Sequence, residues 1–221
     1  MVPVKIRGFP VSVMNMVSRI VDKMASVLIA QIAKLNLRSS GVEMGASITL
    51  LGRPIVSQAS GSKIQIGDRV VLCSDSTKTA LGVNHPVVLR TLSPQARIVI
   101  GNDVGMSGGT ICAAQSVTIG AGTLIGANVT ITDTDFHPLA PVERRYSRAD
   151  VAVAPVVIEE NVFIGTDCLI LKGVHIGENS VIGAGSVVTK SIPANVIAAG
   201  NPCHVVKPLV GEFAASASVA S

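Results

Sequence analysis

The feature that most restricts how this 221-residue chain can fold is a beat of six. Ile158, Ile164, Ile170, Ile176, Ile182 and Val188 follow one another at intervals of six without a break. Four positions after each of the first five stands a small or medium residue: Val162, Cys168, Val174, Ser180 and Ser186. Glycine directly follows the aliphatic at Gly165, Gly177 and Gly183. The same spacing is read upstream in Ile119, Ile125 and Ile131, in Ile100, Met106 and Cys112, and in the pair Ile66 and Leu72. Neither the helical period nor the alternation of a simple strand matches this interval. A chain that runs one short strand, turns and repeats does match it. Three such sides close a triangular coil, and successive coils stack at the strand spacing of about 4.8 Å. A sandwich of short strands would not hold so strict a period.

Composition supports a narrow interior. The apolar fraction is 48%, yet aromatic residues are 2%, with no Trp, one Tyr and four Phe. Large globular cores usually draw on rings, whereas a coil filled by Ile, Val and Ala leaves no room for them. The 21 glycines suit many tight corners.

Several function classes fall away on charge and cysteine usage. A net charge of +4, with scattered basic residues and few rings, does not make a nucleic-acid platform. Cys73, Cys112, Cys168 and Cys203 lack CxxC spacing and read as reduced, small core residues of a cytoplasmic chain. Residues 11–35 are apolar but carry Arg19, Asp22 and Lys23 and no small-residue cleavage site. They therefore read neither as a secretory signal nor as a membrane span.

Two polar, proline-containing stretches interrupt the beat, residues 73–97 and 132–155. Function commonly sits on loops thrown out from a rigid scaffold. Each stretch carries a His-Pro pair, His85-Pro86 and His137-Pro138.

With the repeat, "DFHPLAP", "GAGSVVTKSIPANVIAAGNP" and "CHVVKP" in view, the chain resembles the hexapeptide-repeat acyltransferases. Within them it is similar to the sugar O-acetyltransferases and the capsule or O-antigen acetyltransferases. The resemblance covers residues 64–208. It implies an all-β fold, a left-handed parallel β-helix with an N-terminal helix and two loop insertions. It also implies an acetyl-CoA-dependent O-acetyltransferase acting on a sugar or polysaccharide hydroxyl, assembled as a homotrimer with acetyl-CoA bound between subunits and needing no metal. His137 matches the catalytic histidine, a general base whose imidazole titrates near neutrality. Asp133 or Asp135 could orient its ring. Thr166, Ala184, Thr189 and Lys190 match contacts to the pantetheine arm of acetyl-CoA. His204 and Lys207 match two basic positions near the nucleotide phosphates, with His204 standing where the family carries Arg. Asn84 and His85 read either as acceptor-binding contacts or as turn residues before proline. His175, at an outward repeat position, reads as surface.

A second departure lies in "MSGGTICAAQSV", where Gly108, Ala113 and Ala114 replace the Asn and Asp that galactoside and maltose acetyltransferases carry. This favours the polysaccharide-modifying branch and leaves the sugar open. The alternatives are N-acetylation of an amino sugar, which the same base would serve, and a noncatalytic β-helix of binding or structural role. A zinc hydratase on the same kind of coil needs about three converging imidazoles, and position 142, where a second histidine would stand, is Val142.

The chain is thus expected to divide at 1–40, an amphipathic helical segment; 41–208, the β-helix domain; and 209–221, a disordered tail. In the first segment Val17, Ile20, Met24, Leu28, Ile32 and Leu35 recur at three or four, an amphipathic helix over 12–36. Lys5, Arg7, Arg19, Lys23, Lys34 and Arg38 flank or dot it. The stripe is expected to cap the open first coil. The alternative is peripheral contact with a membrane surface.

Overall fold

The computed structural model describes residues 11–142, 144–147 and 149–209. The tail expected to be disordered, and Lys5 and Arg7, lie outside the described residues apart from Leu209. A 29-residue helix, α1 (Val11–Ser39), leads into a left-handed parallel β-helix.

The coil has three faces. The first stacks the strands at 43–44, 63–66, 97–100, 116–119, 156–158 and 175–176. The second stacks 49–51, 71–73, 105–107, 124–125, 163–164, 181–182 and 196–199, and a final strand, His204–Pro208, folds back antiparallel on 196–199. The third stacks 55–57, 88–91, 110–113, 130–132, 169–170 and 187–188. Successive strands change face, so three hexads make one turn and residues 18 apart share a corner, as the pairing of Ile164 with Ile182 shows.

The six aliphatics from Ile158 to Val188 are all at most 1% exposed. Each inward aliphatic is stacked on the next, and burial of such a side chain stabilises by about 1.5–3 kcal/mol. The hydroxyls among the inward small residues are satisfied. Ser180 Oγ donates to the Pro193 carbonyl at 2.7 Å, and Ser186 Oγ to that of Gly183 at 2.5 Å. The described rings stay outside: Phe136, Phe163 and Tyr146 are all exposed.

Three expectations are corrected. Ile111, not Cys112, pairs with Ile131 on the third face, so the run after Met106 shortens by one residue. The corner there is Gly108-Gly109, both at positive φ, and a Cβ on Gly109 would overlap the Val129 carbonyl. The first interruption is also shorter than 73–97. Val88–Thr91 returns to the third face between 55–57 and 110–113, leaving an excursion of 74–87. The second runs from 133 to 155, its neck closed by a bridge between Thr134 and Val153.

The third correction concerns α1. Among the described side chains of the helix only Ala33 and Leu37 are buried against the coil, with Ser26 and Ala30 half-buried beside them. Ile20, Met24, Leu28, Ile32 and Leu35 of the stripe expected to cap the coil remain 36–68% exposed. Small residues let the helix backbone come close to the first coil, so the wider apolar face turns away from it. No helix among the described residues is long and apolar enough to cross a membrane.

Candidate active site

Apart from His175, His204 and Lys207, the residues singled out from the sequence fall on two edges of the prism. The edge between the second and third faces carries Asn84 and His85 on the first excursion, then Asn128, Thr166 and Ala184 coil by coil. The edge between the third and first faces carries His137 on the second excursion, then Lys172, Thr189 and Lys190. One face separates the edges, roughly 15–20 Å for five or so residues at about 3.3 Å each. A single copy of the chain therefore keeps the expected base beside Thr189 and Lys190 and apart from the expected contacts Thr166 and Ala184.

The first edge is tightly stitched. Thr166 Oγ1 donates to the Ala127 carbonyl at 2.8 Å, and Gly185 N donates to the Thr166 carbonyl at 2.8 Å. A Cβ on Gly165 would stand 2.5 Å from the Ala184 amide nitrogen, so the coils meet here nearly backbone to backbone. Asn84 N donates to Asn128 Oδ1 at 2.8 Å, which pins the excursion down. His85 is exposed, and its Nδ1 lies 2.7 Å from the Pro86 carbonyl. The excursion lies over Gly108, where a Cβ would come within 2.8 Å of the Val83 side chain and 3.0 Å of the His85 carbonyl. The space that a larger side chain would take in the coil is thus filled by the loop.

The second edge is organised by two aspartates. Asp133 is fully buried, and its two oxygens accept from Ala114 N and Gln115 N at 2.7 Å each. Burial pushes its carboxyl above the ordinary value, against the pull of the amides of Ala114, Gln115 and Ser116. Asp135 accepts from Lys172 Nζ at 2.7 Å through Oδ1, while its buried Oδ2 has no hydrogen-bond partner among the described residues. Among the described residues neither carboxylate bonds the His137 ring, so Asp133 anchors the loop and Asp135 ties it to the next coil. His137 is exposed, and its backbone N–H closes a tight turn onto the Asp135 carbonyl at 2.7 Å. Phe136 before it stands at φ 62°. The Arg144 guanidinium donates to the Pro138 carbonyl at 3.1 Å and to that of Leu139, holding the turn after the histidine.

Lys172 was not singled out from the sequence, although a signal was there: it stands 18 residues before Lys190 and so shares its corner. Thr189 and Lys190 are exposed. His204 and Lys207 are exposed on the antiparallel strand at the far end of the second face, paired with Ala199 and Ile197. His175 is a surface residue, its Nε2 2.7 Å from Glu159 Oε1. No cluster of metal-ligating side chains occurs among the described residues.

Residues 155–190 match the family model described as the hexapeptide repeat of succinyl-transferase. The chain thus carries a hexapeptide repeat, and the proteins it is similar to are acetyltransferases. It is 47% identical over 100 residues to the galactoside O-acetyltransferase of Escherichia coli (strain K12), a match covering 45% of this chain and 48% of that protein. The chain thus spans about half the length of the curated relatives it matches. Among solved structures, galactoside acetyltransferase in complex with coenzyme A is 30% identical at a TM-score of 0.45, covering 76% of this chain and 64% of that one. The polySia specific acetyltransferase NeuO is 24% identical at a TM-score of 0.50, covering 76% of this chain and 79% of that one. The last likeness is one of fold.

Proposed function

We propose that this hexapeptide-repeat protein is an acetyl-CoA-dependent O-acetyltransferase acting on a hydroxyl of a sugar or polysaccharide, with His137 as general base. The observation that carries the reading is the division of the candidate residues between two neighbouring edges. In a homotrimer of head-to-tail contacts, the His137 edge of one copy would face the Asn84–Ala184 edge of the next. Such a cleft would hold acetyl-CoA beside Thr166 and Ala184 of one copy and Thr189 and Lys190 of the other. Lys207 and His204 would lie toward the nucleotide phosphates. The apolar side chains that the His137 loop exposes, Leu139, Val142 and Tyr146, support a neighbouring copy there, because each is at least 72% exposed. The identity to a galactoside O-acetyltransferase supports the reaction class. The four free, buried cysteines fit a reducing compartment such as the cytoplasm.

The chemistry needs one proton acceptor. The acceptor hydroxyl oxygen attacks the thioester carbonyl as the His137 imidazole takes its proton. The tetrahedral intermediate then expels the CoA thiolate, which receives the proton back from the imidazolium, and the acetyl ester forms. A backbone N–H suits the developing oxyanion. The test is thiol release from acetyl-CoA across a panel of neutral sugars, glycans and amino sugars. Turnover with hydroxyl acceptors supports the reading. Turnover confined to amino sugars moves it to N-acetylation, and no turnover with any acceptor, together with no retention on immobilised CoA, overturns it.

A further inference from the structure

The outer side of α1 is an apolar surface that the coil leaves uncovered. At 3.6 residues per turn, Ser26, Ala30, Ala33 and Leu37 line the side turned to the coil. Ile20, Val21, Met24, Leu28, Ile32 and Leu35 occupy the opposite half, each 36–68% exposed. The helix's charges are not spread evenly. Lys23, Lys34 and Arg38 fall along one border of that apolar half, Arg19 falls on the line of the coil-facing side, and the single acid, Asp22, lies toward the other border. Behind this border, a cleft of about 310 Å³ between α1 and the first coil has Lys23, Lys34 and Lys78 around an apolar floor. The one acid lining it, Asp75, is already bonded to the Thr77 amide and hydroxyl at 2.9 and 2.8 Å.

We infer that α1 is an interfacial helix by which the folded protein docks on an anionic lipid surface. The apolar half enters the boundary between headgroups and acyl chains, the cationic border meets the headgroups, and the small-residue side keeps its seat on the coil. A second copy is the poorer occupant. Four cations and one acid per helix leave the like charges of paired helices without acidic partners. The proposal stands on the helix alone and does not depend on the reaction.

The test is flotation of the full-length protein with vesicles of phosphatidylcholine, with and without roughly one third phosphatidylglycerol. The protein should float with the anionic vesicles and not with the neutral ones, and high salt should weaken the binding. Met24→Glu with Leu28→Glu should lower partitioning by at least about tenfold. Lys23→Glu with Arg38→Glu should lower it by roughly tenfold or more at low salt. All four side chains are exposed, so melting temperatures should match the parent protein. Wild-type protein that stays at the bottom with anionic vesicles overturns the proposal, as does equal flotation of the double variants. A fall in sedimentation mass of Met24→Glu/Leu28→Glu without vesicles assigns the face to a second copy and overturns it too.

Discussion

The two His-Pro loops look alike in sequence and differ in what holds them. The first, at 74–87, lies down on the coil, stitched through Asn84 to Asn128 and packed over Gly108, and the His85 ring is engaged with the carbonyl of the next residue. The second, at 133–155, stands on a neck. Its base is fixed by Asp133 on the amides of the preceding coil and its middle by the Asp135–Lys172 pair, and His137 is presented on an exposed tight turn. The first loop has the character of a wall and the second that of a mount for a reagent.

The largest effect should follow from His137→Ala, which is expected to lower kcat by roughly 10²–10⁴-fold with thermal stability unchanged, because the side chain is exposed. Steady-state thiol release and a melting curve check both halves. Asp133→Asn comes next. An Asn side chain must turn an N–H₂ toward a backbone N–H that now donates to carboxylate, so unfolding free energy should drop by about 2 kcal/mol in a denaturant titration. Asp135→Asn, at a half-buried site, should cost much less. Lys172→Met should loosen the mount and reduce kcat by roughly three- to tenfold, with Lys172→Arg recovering most of it. His85→Ala should be the mildest, changing KM for the acceptor with kcat kept within about threefold. A His85 variant as crippled as the His137 variant would erase the distinction between wall and mount.

How much of this was legible in the sequence depends on whether the local period or a long-range packing choice decides. From Ile158 to Val188 the spacing alone located the core, because each inward side chain stacks on its own kind. The period misplaced Cys112, since a corner of two positive-φ glycines saves one residue and puts Ile111 inward. It also overlooked Val88–Thr91, whose return to the third face follows a loop whose length no period encodes. His137 was found through its loop motif, whereas Lys172 needed the corner arithmetic of 18. The facing of α1 was not legible, because a wheel with a broad apolar half and a small-residue side offers two packable surfaces, and the coil took the smaller one. The resemblance implied a site between subunits, and the division of the candidate residues between two edges follows from counting strands around the prism.

The central claim, that the site is built from two edges contributed by different copies, is tested most directly by mixing two inactive variants. His137→Ala removes the base and leaves the other edge intact, while Ala184→Trp blocks the acetyl-CoA edge and leaves His137 in place. Co-expressed and assembled at random in equal amounts, they should yield about one intact site in four, because each contact in a head-to-tail ring draws its two edges from different subunits. The account predicts acetyl transfer by the mixture approaching that fraction of wild type, with each variant alone inactive. A mixture as dead as its components, despite confirmed mixed assembly, would contradict it.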